Sequence, residues 1–140
     1  MGVIHRSNGS IGAPNWPEVP VRVYEGNQAR GATKRILIGA RDGAENFAVR
    51  YFEVPAGESS AHESHPHDHG VVITRGRARV LMGGELHDVG VGDVVYIGPD
   101  EEHRFDSLGP EPLGFICVVP GWGEKGGHAP LLSATAPVDG

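Results

Sequence analysis

One cysteine, Cys117, is all the chain has. An intramolecular disulfide is therefore excluded, and a lone thiol fits a reducing compartment. Clustered basic residues are missing too: 12 Lys and Arg stand against 18 Asp and Glu, a formal net charge of −6. A nucleic-acid partner, which needs a basic face, is not expected. No apolar run approaches the roughly 20 residues of a membrane span, so no membrane partner is expected either. Met1 to Asn8 lacks the apolar centre of a signal peptide, and the expected location is the cytoplasm. No stretch carries a 3.6-residue apolar period with caps, which argues against a helical fold.

Glycine (22) and proline (11) are plentiful among the 140 residues, and hydrophobic content is 39%. These values suit one globular domain rich in turns. Residues 1–33 read as an irregular N-terminal arm, interrupted by Pro14, Pro17 and Pro20. Trp16, Val21, Val23 and Tyr24 could pin this arm onto the domain or onto a second subunit; the competing reading is a loose tail with incidental contacts. From residue 34 the pattern turns strand-like. Arg35 to Ile38 is a short apolar run, and Phe47 to Val54 alternates, with Ala48, Arg50, Phe52 and Val54 on one face. Arg77 to Met82 and Glu85 to Val89 flank Gly83-Gly84, a hairpin signal. Asp93 to Ile97, Glu102 to Phe105 and Leu113 to Val119 follow, separated by Gly and Pro. At least seven short strands predict an all-β sandwich or barrel over 34–120. Residues 121–140, dominated by Gly, Ala, Pro and Ser, read as a loose C-terminal tail.

Four of the eight histidines fall in Ala61-His62-Glu63-Ser64-His65-Pro66-His67-Asp68-His69-Gly70. On a strand, Glu63, His65, His67 and His69 would share one face. Imidazole and carboxylate are the usual ligands of Zn, Mn, Fe, Ni and Cu. An exposed His-rich loop is the bland alternative. The flanks favour a built site: Val54-Pro55-Ala56-Gly57 precedes the cluster, and Val71-Val72-Ile73-Thr74-Arg75-Gly76 continues from it as a β-branched run. A further histidine, His103, follows Gly92-Asp93-Val94-Val95-Tyr96-Ile97-Gly98-Pro99.

From Phe47 to Pro120 these motifs resemble the cupin superfamily, small jelly-roll barrels with a metal in the mouth. Counting back from Gly76 along the first cupin motif places ligands at His69, His65 and Glu63. Counting from Gly92 along the second motif places one at His103. The closest likeness is to the His-x-His-Pro-x-x-His subgroup, whose members often hold manganese with four histidines. Glu63 stands where that subgroup has its first histidine. A one-residue slip would offer His62 instead, but a slip reverses the strand face, so Glu63 is preferred. His62 and His67 are expected to be solvated rim histidines. In the second motif, Gly98 and Asp100 replace Pro and Gly, and Ser107 replaces the terminal Asn.

The resemblance implies a divalent metal ion, with Mn or Fe foremost and Zn or Ni as alternatives. It also places Phe115 and Cys117 on the inner face with Phe105, as a substrate pocket or simply as barrel core. Cys117 near a redox metal would be oxidisable; otherwise it is a small buried apolar residue. Arg50, among apolar neighbours, would hold a substrate anion or make a structural salt bridge. The implied activity is a metal-dependent, dioxygenase-like oxidoreductase on a small enolisable or unsaturated substrate. A redox-neutral isomerase, cyclase or lyase and a non-catalytic binding protein are the alternatives. A homodimer is expected, as for small cupins generally.

Overall fold

The computed structural model describes residues 2–24 and 30–124. Nine strands carry the fold: β1 Arg22–Val23, β2 Thr33–Ile38, β3 Phe47–Val54, β4 His69–Arg75, β5 Arg77–Met82, β6 Glu85–Gly90, β7 Val94–Ile97, β8 His103–Ser107 and β9 Leu113–Pro120. Two short 3-10 turns, Ala40–Asp42 and Gly121–Gly123, are the helical elements among the described residues. Neither is long and apolar enough to cross a membrane.

The strands form two antiparallel sheets, one of six in the order β1-β2-β3-β9-β4-β7 and one of three in the order β6-β5-β8. This is an all-β fold of the kind the strand count and turn spacing predict, in the jelly-roll form that the cupin resemblance implies. The pleat explains the core. Inward-facing Phe52 and Val54 of β3, Val71 and Ile73 of β4, and Leu113, Phe115, Cys117 and Val119 of β9 are all buried. They meet Ala78, Val80 and Phe105 from the smaller sheet. Phe115 stacks between Phe52 (5.1 Å between centroids) and Phe105 (4.7 Å). The β5–β6 hairpin turns at Gly83 (φ 58°) and Gly84 (φ 86°). Both lie in the left-handed region that a tight two-residue hairpin requires.

Three features differ from the expectations of the sequence. The arm is not wholly irregular: β1 pairs with β2, Arg22 opposite Lys34. Its aromatic residues pin it onto its own domain, one of the two dockings the sequence left open, Trp16 on Tyr51 at 5.5 Å and Tyr24 on Phe52 at 4.9 Å. Second, Ala61 to Asp68 is not a strand; only Glu63 makes an isolated bridge, to His103. The bend that begins at Pro66 and the lack of a pairing partner break the ladder there. Third, the tail does not loosen at Gly121. Residues 121–124 fold back over the barrel mouth, Gly121 N–H bonding the Asn46 carbonyl at 3.2 Å. The remainder of the tail, from 125 on, lies outside the described residues.

Candidate metal centre and its cavity

A cavity of about 430 Å³ opens between the sheets, and the histidine cluster lines it. His69 opens β4 and His103 opens β8, so each sheet delivers one imidazole. Glu63 is tied to His103 by both backbone bonds of a bridge, 3.0 and 2.9 Å. That bridge carries His65 into the same space. Ligand atoms of His65, His69 and His103 all lie within 4.8 Å of one another, so the three histidines are positioned to bind a metal ion.

The local chemistry fits a divalent metal. Burial, reinforced by the neighbouring His103 and His67, pushes the His69 imidazole down to about 3, so it is neutral and able to donate a lone pair. Its Nδ1 is buried with no hydrogen-bond partner among the described residues. Burial also lowers His103, against the opposing bond to Glu101. His103 Nδ1 lies 2.9 Å from the Glu101 carbonyl oxygen, which only an N–H can satisfy; Nε2 is left with its lone pair. This is the orienting bond that metal-ligating imidazoles usually make.

Glu63 sits beside the triad. Its Oε1 accepts the Tyr24 hydroxyl at 2.7 Å and lies 3.3 Å from His65 Nε2. Burial would raise this carboxyl, but the bonds from His65 and Tyr24 prevail and hold it below the usual range. Burial and the adjacent Glu63 in turn raise the Tyr24 hydroxyl well above its ordinary value. His62 does not line the cavity, and it is not the solvated histidine expected: its Nε2 is shielded, 3.1 Å from Glu102 Oε2. The side-by-side choice between Glu63 and His62 therefore does not rest on strand parity, since no strand runs there. It rests on the bridge to His103, which aims Glu63 inward.

His67 departs from its expected place. It is buried, lines the cavity, and stacks on His65 with centroids 4.9 Å apart and planes within 6°. The bend at 66–67 turns the ring inward, and the terminal turn then closes over it. Gly123 packs so closely that a Cβ there would lie 2.8 Å from the His67 ring. Trp122 meets the same ring edge-on at 5.5 Å.

At the far side of the cavity, Arg50 of β3 is registered opposite Cys117 of β9. Arg50 Nη2 donates to Cys117 Sγ at 3.2 Å, and its Nε to the Cys117 carbonyl at 3.3 Å. Burial keeps the thiol pKa raised, although Arg50 pulls it the other way. Arg50 itself stays firmly charged: burial opposes this, but Cys117 and Glu124 outweigh it. Phe105 and Phe115 supply apolar wall. Lys34 and Glu124, neither singled out by the sequence, also line the cavity. Lys34 precedes the apolar run of β2, and Glu124 lies in a Gly-rich tail; nothing local marks either one.

This barrel, with its triad at the mouth, is that of the cupins, and the chain belongs to that family: residues 50–119 match the cupin domain (Cupin_2). Among characterised relatives is the 1-methylthio-D-xylulose 5-phosphate methylsulfurylase of Rhodospirillum rubrum, 36% identical over 107 residues, or 74% of this chain and 67% of that protein. A solved cupin-2 domain from the same organism is 34% identical with a TM-score of 0.68, covering 76% of this chain and 72% of the other. A cupin 2 conserved barrel protein of Rhodopseudomonas palustris is 35% identical, also at 0.68, covering 75% and 73%. The polyketide cyclase RemF of Streptomyces resistomycificus shares the fold over 98% of this chain and 87% of its own (TM-score 0.71) at 23% identity.

Proposed function

We propose that the chain is a metal-dependent enzyme acting on a small enolisable substrate, with Cys117 as its reacting thiol. The observation that carries this reading is convergence: the three histidines, Glu63 and the Cys117–Arg50 pair all face one cavity. We assign the metal to His65, His69, His103 and Glu63. When bound, a divalent ion there, Mn or Fe foremost and Zn or Ni as alternatives, would polarise a substrate carbonyl and acidify the adjacent C–H. The protein's own groups supply the rest. Tyr24 orients the Glu63 carboxylate, and Phe105 and Phe115 keep water from the reacting face. Arg50 stabilises negative charge on Cys117 Sγ once the proton leaves. The Cys117 thiolate, a soft nucleophile, would attack the methylthio sulfur; the C–S bond breaks with its electron pair going to the enolate, which takes up a proton, and the Cys117–S–S–CH3 disulfide is reduced by the free thiol with release of methanethiol. The Rhodospirillum rubrum relative is named for a methylthio ketose phosphate, which supports this reading. We take the substrate class here to be a thioether-bearing ketose phosphate or a near analogue.

Incubating metal-loaded protein with 1-methylthio-D-xylulose 5-phosphate and a free thiol is the test. Wild type should release the methylthio group, and Cys117→Ser should retain metal while losing turnover by about 10²-fold or more. Wild-type turnover in Cys117→Ser would overturn the thiol assignment. A dioxygenase-like oxidation is the second reading. Three imidazoles with one carboxylate form a donor set that suits Fe(II) with open positions, and this favours it. Oxygen uptake matched to product, and loss of turnover under nitrogen, would decide for it. We further propose that the working unit is a homodimer in the cytoplasm.

A further inference from the structure

Two buried cations in the cavity share a single carboxylate. Lys34 Nζ lies 3.1 Å from Glu124 Oε2, and Arg50 Nη1 lies 2.6 Å from Glu124 Oε1. All three side chains are largely shielded from solvent, and all three line the same cavity as the histidine triad. Lys34 and Arg50 belong to neighbouring strands and face inward together: Lys34 pairs with Phe52 and Arg50 with Ile36. The far edge of the Arg50 guanidinium is committed to Cys117, which leaves Nη1 turned toward Glu124. Burial lowers the Lys34 pKa, and Glu124 only partly offsets this.

We propose that Lys34 and Arg50 form a subsite for the phosphate of a phosphate monoester, and that the Glu124 carboxylate is an internal occupant displaced when that group binds. This deepens the proposed reading of the cavity as a substrate site and rests on it. The first argument is charge. Two buried cations share the one carboxylate within bonding reach, Glu63 acting on Lys34 only through space, and a buried charge is costly unless closely paired. A phosphate dianion compensates both, and its oxygens match a guanidinium fork and an ammonium together. The second argument is attachment. Glu124 does not belong to the sheet. It follows the Gly121–Gly123 turn after β9 ends at Pro120. Trp122 in that turn is 61% exposed and touches the barrel through the edge of His67. Moving Gly123 and Glu124 aside parts Gly123 from the His67 ring but breaks no strand ladder, and the Gly121 N–H bond to the Asn46 carbonyl can stay in place. The third argument is place: a purely structural clamp has no reason to sit within the wall of the cavity.

Calorimetric titration of the metal-loaded, full-length protein with inorganic phosphate near pH 7.5 tests the proposal without requiring turnover. Glu124→Gln, which keeps the shape and removes the competing charge, should bind phosphate about 10-fold more tightly than wild type. Adding Lys34→Met to Glu124→Gln should abolish that gain. Acetate, a monoanion, should show a smaller gain than phosphate. Melting curves and metal content establish that each variant is folded, and Glu124→Ala serves as a second displacement variant should Glu124→Gln melt early. Phosphate binding that is unchanged or weaker in both Glu124 variants would overturn the proposal and make Glu124 a clamp. A gain that survives Lys34→Met, or one equally large for acetate, would overturn it as well. Failure here leaves Cys117 chemistry intact, and an active Cys117→Ser would leave the subsite intact, so the two readings fail separately.

Discussion

Removing one imidazole from three leaves a site whose remaining donors cannot close around an ion. His69 is the most telling position, since burial holds it neutral and its Nδ1 has no partner in the described protein. His69→Ala should purify with far less than one metal per chain by elemental analysis, and His65→Ala and His103→Ala should do likewise. Full occupancy in His69→Ala would move the site elsewhere. Glu63→Gln keeps the Tyr24 contact and removes the charge, so metal affinity should fall about 10- to 100-fold. His62→Ala should leave it unchanged, because His62 does not line the cavity and lies beside Glu102 instead. The same burial sets a pH dependence for the metal-free protein. A histidine near 6.5 when unfolded and about 3 when folded takes up its proton more readily in the unfolded chain. Stability from this group is therefore flat above pH 6.5 and declines as pH falls toward 3, by at most about 1.4 kcal/mol per pH unit. Urea midpoints of the apoprotein at pH 7 and 5 measure this, and His69→Asn should show a shallower decline. Equal slopes would mean that His69 is not desolvated.

At the scale of the strand, the aromatic stack of Phe52, Phe115 and Phe105 joins the two sheets and lines the same cavity as the histidine triad. Phe115→Ala removes the middle ring, a change that costs about 3–5 kcal/mol in a packed core. A loss below about 1 kcal/mol in chemical denaturation would show that the stack is not integral to the core. The register that builds this stack was legible in the sequence because the pleat has period two. Ala48, Arg50, Phe52 and Val54 alternate with Phe47, Val49, Tyr51 and Glu53 on the opposite face, and Gly83-Gly84 marks its own turn. His65, His69 and His103 were legible because their chemistry is dense and their spacing follows a known motif. What stayed hidden depends on contacts far apart in the chain. Tyr24 reaches Glu63 across 39 positions, and Lys34 reaches Glu124 across 90. Neither pair leaves a local pattern. His67 was misplaced for a related reason: its burial is made by Gly123 and Trp122, in a segment whose composition reads as tail. The inward aim of Glu63 comes from a single bridge to His103, which alternation within 61–69 cannot reveal.

For the whole molecule, the question is what covers the outer face of the six-stranded sheet. The N-terminal arm covers one half: Val19 is buried with Leu37 and Tyr51, and Trp16, Val49 and Ile116 pack around them. Among the described residues nothing covers the other half. Val72, Val94, Tyr96 and Val118 are 39%, 73%, 62% and 40% exposed. Register makes these four contiguous, since Val72 lies opposite Val94, and Gly70 lies between Tyr96 and Val118. β7 is moreover an edge strand of that sheet. An apolar face continuous with a buried cluster and ending at an unpaired edge is a surface that proteins seldom leave bare. A second copy can cover it isologously, each β4–β7 face meeting its twin about a two-fold axis. In the proposed homodimer this face rather than the arm would supply the interface, because Trp16 and Tyr24 already pack within their own chain. Light scattering at micromolar concentration should give twice the chain mass. Val94→Asp sets two like charges near the axis and should shift the protein to monomer, with metal content unchanged because the triad opens on the opposite face of the sheet. A wild-type protein that scatters as a monomer, or a Val94→Asp variant that dimerises as tightly as wild type, would defeat this assignment.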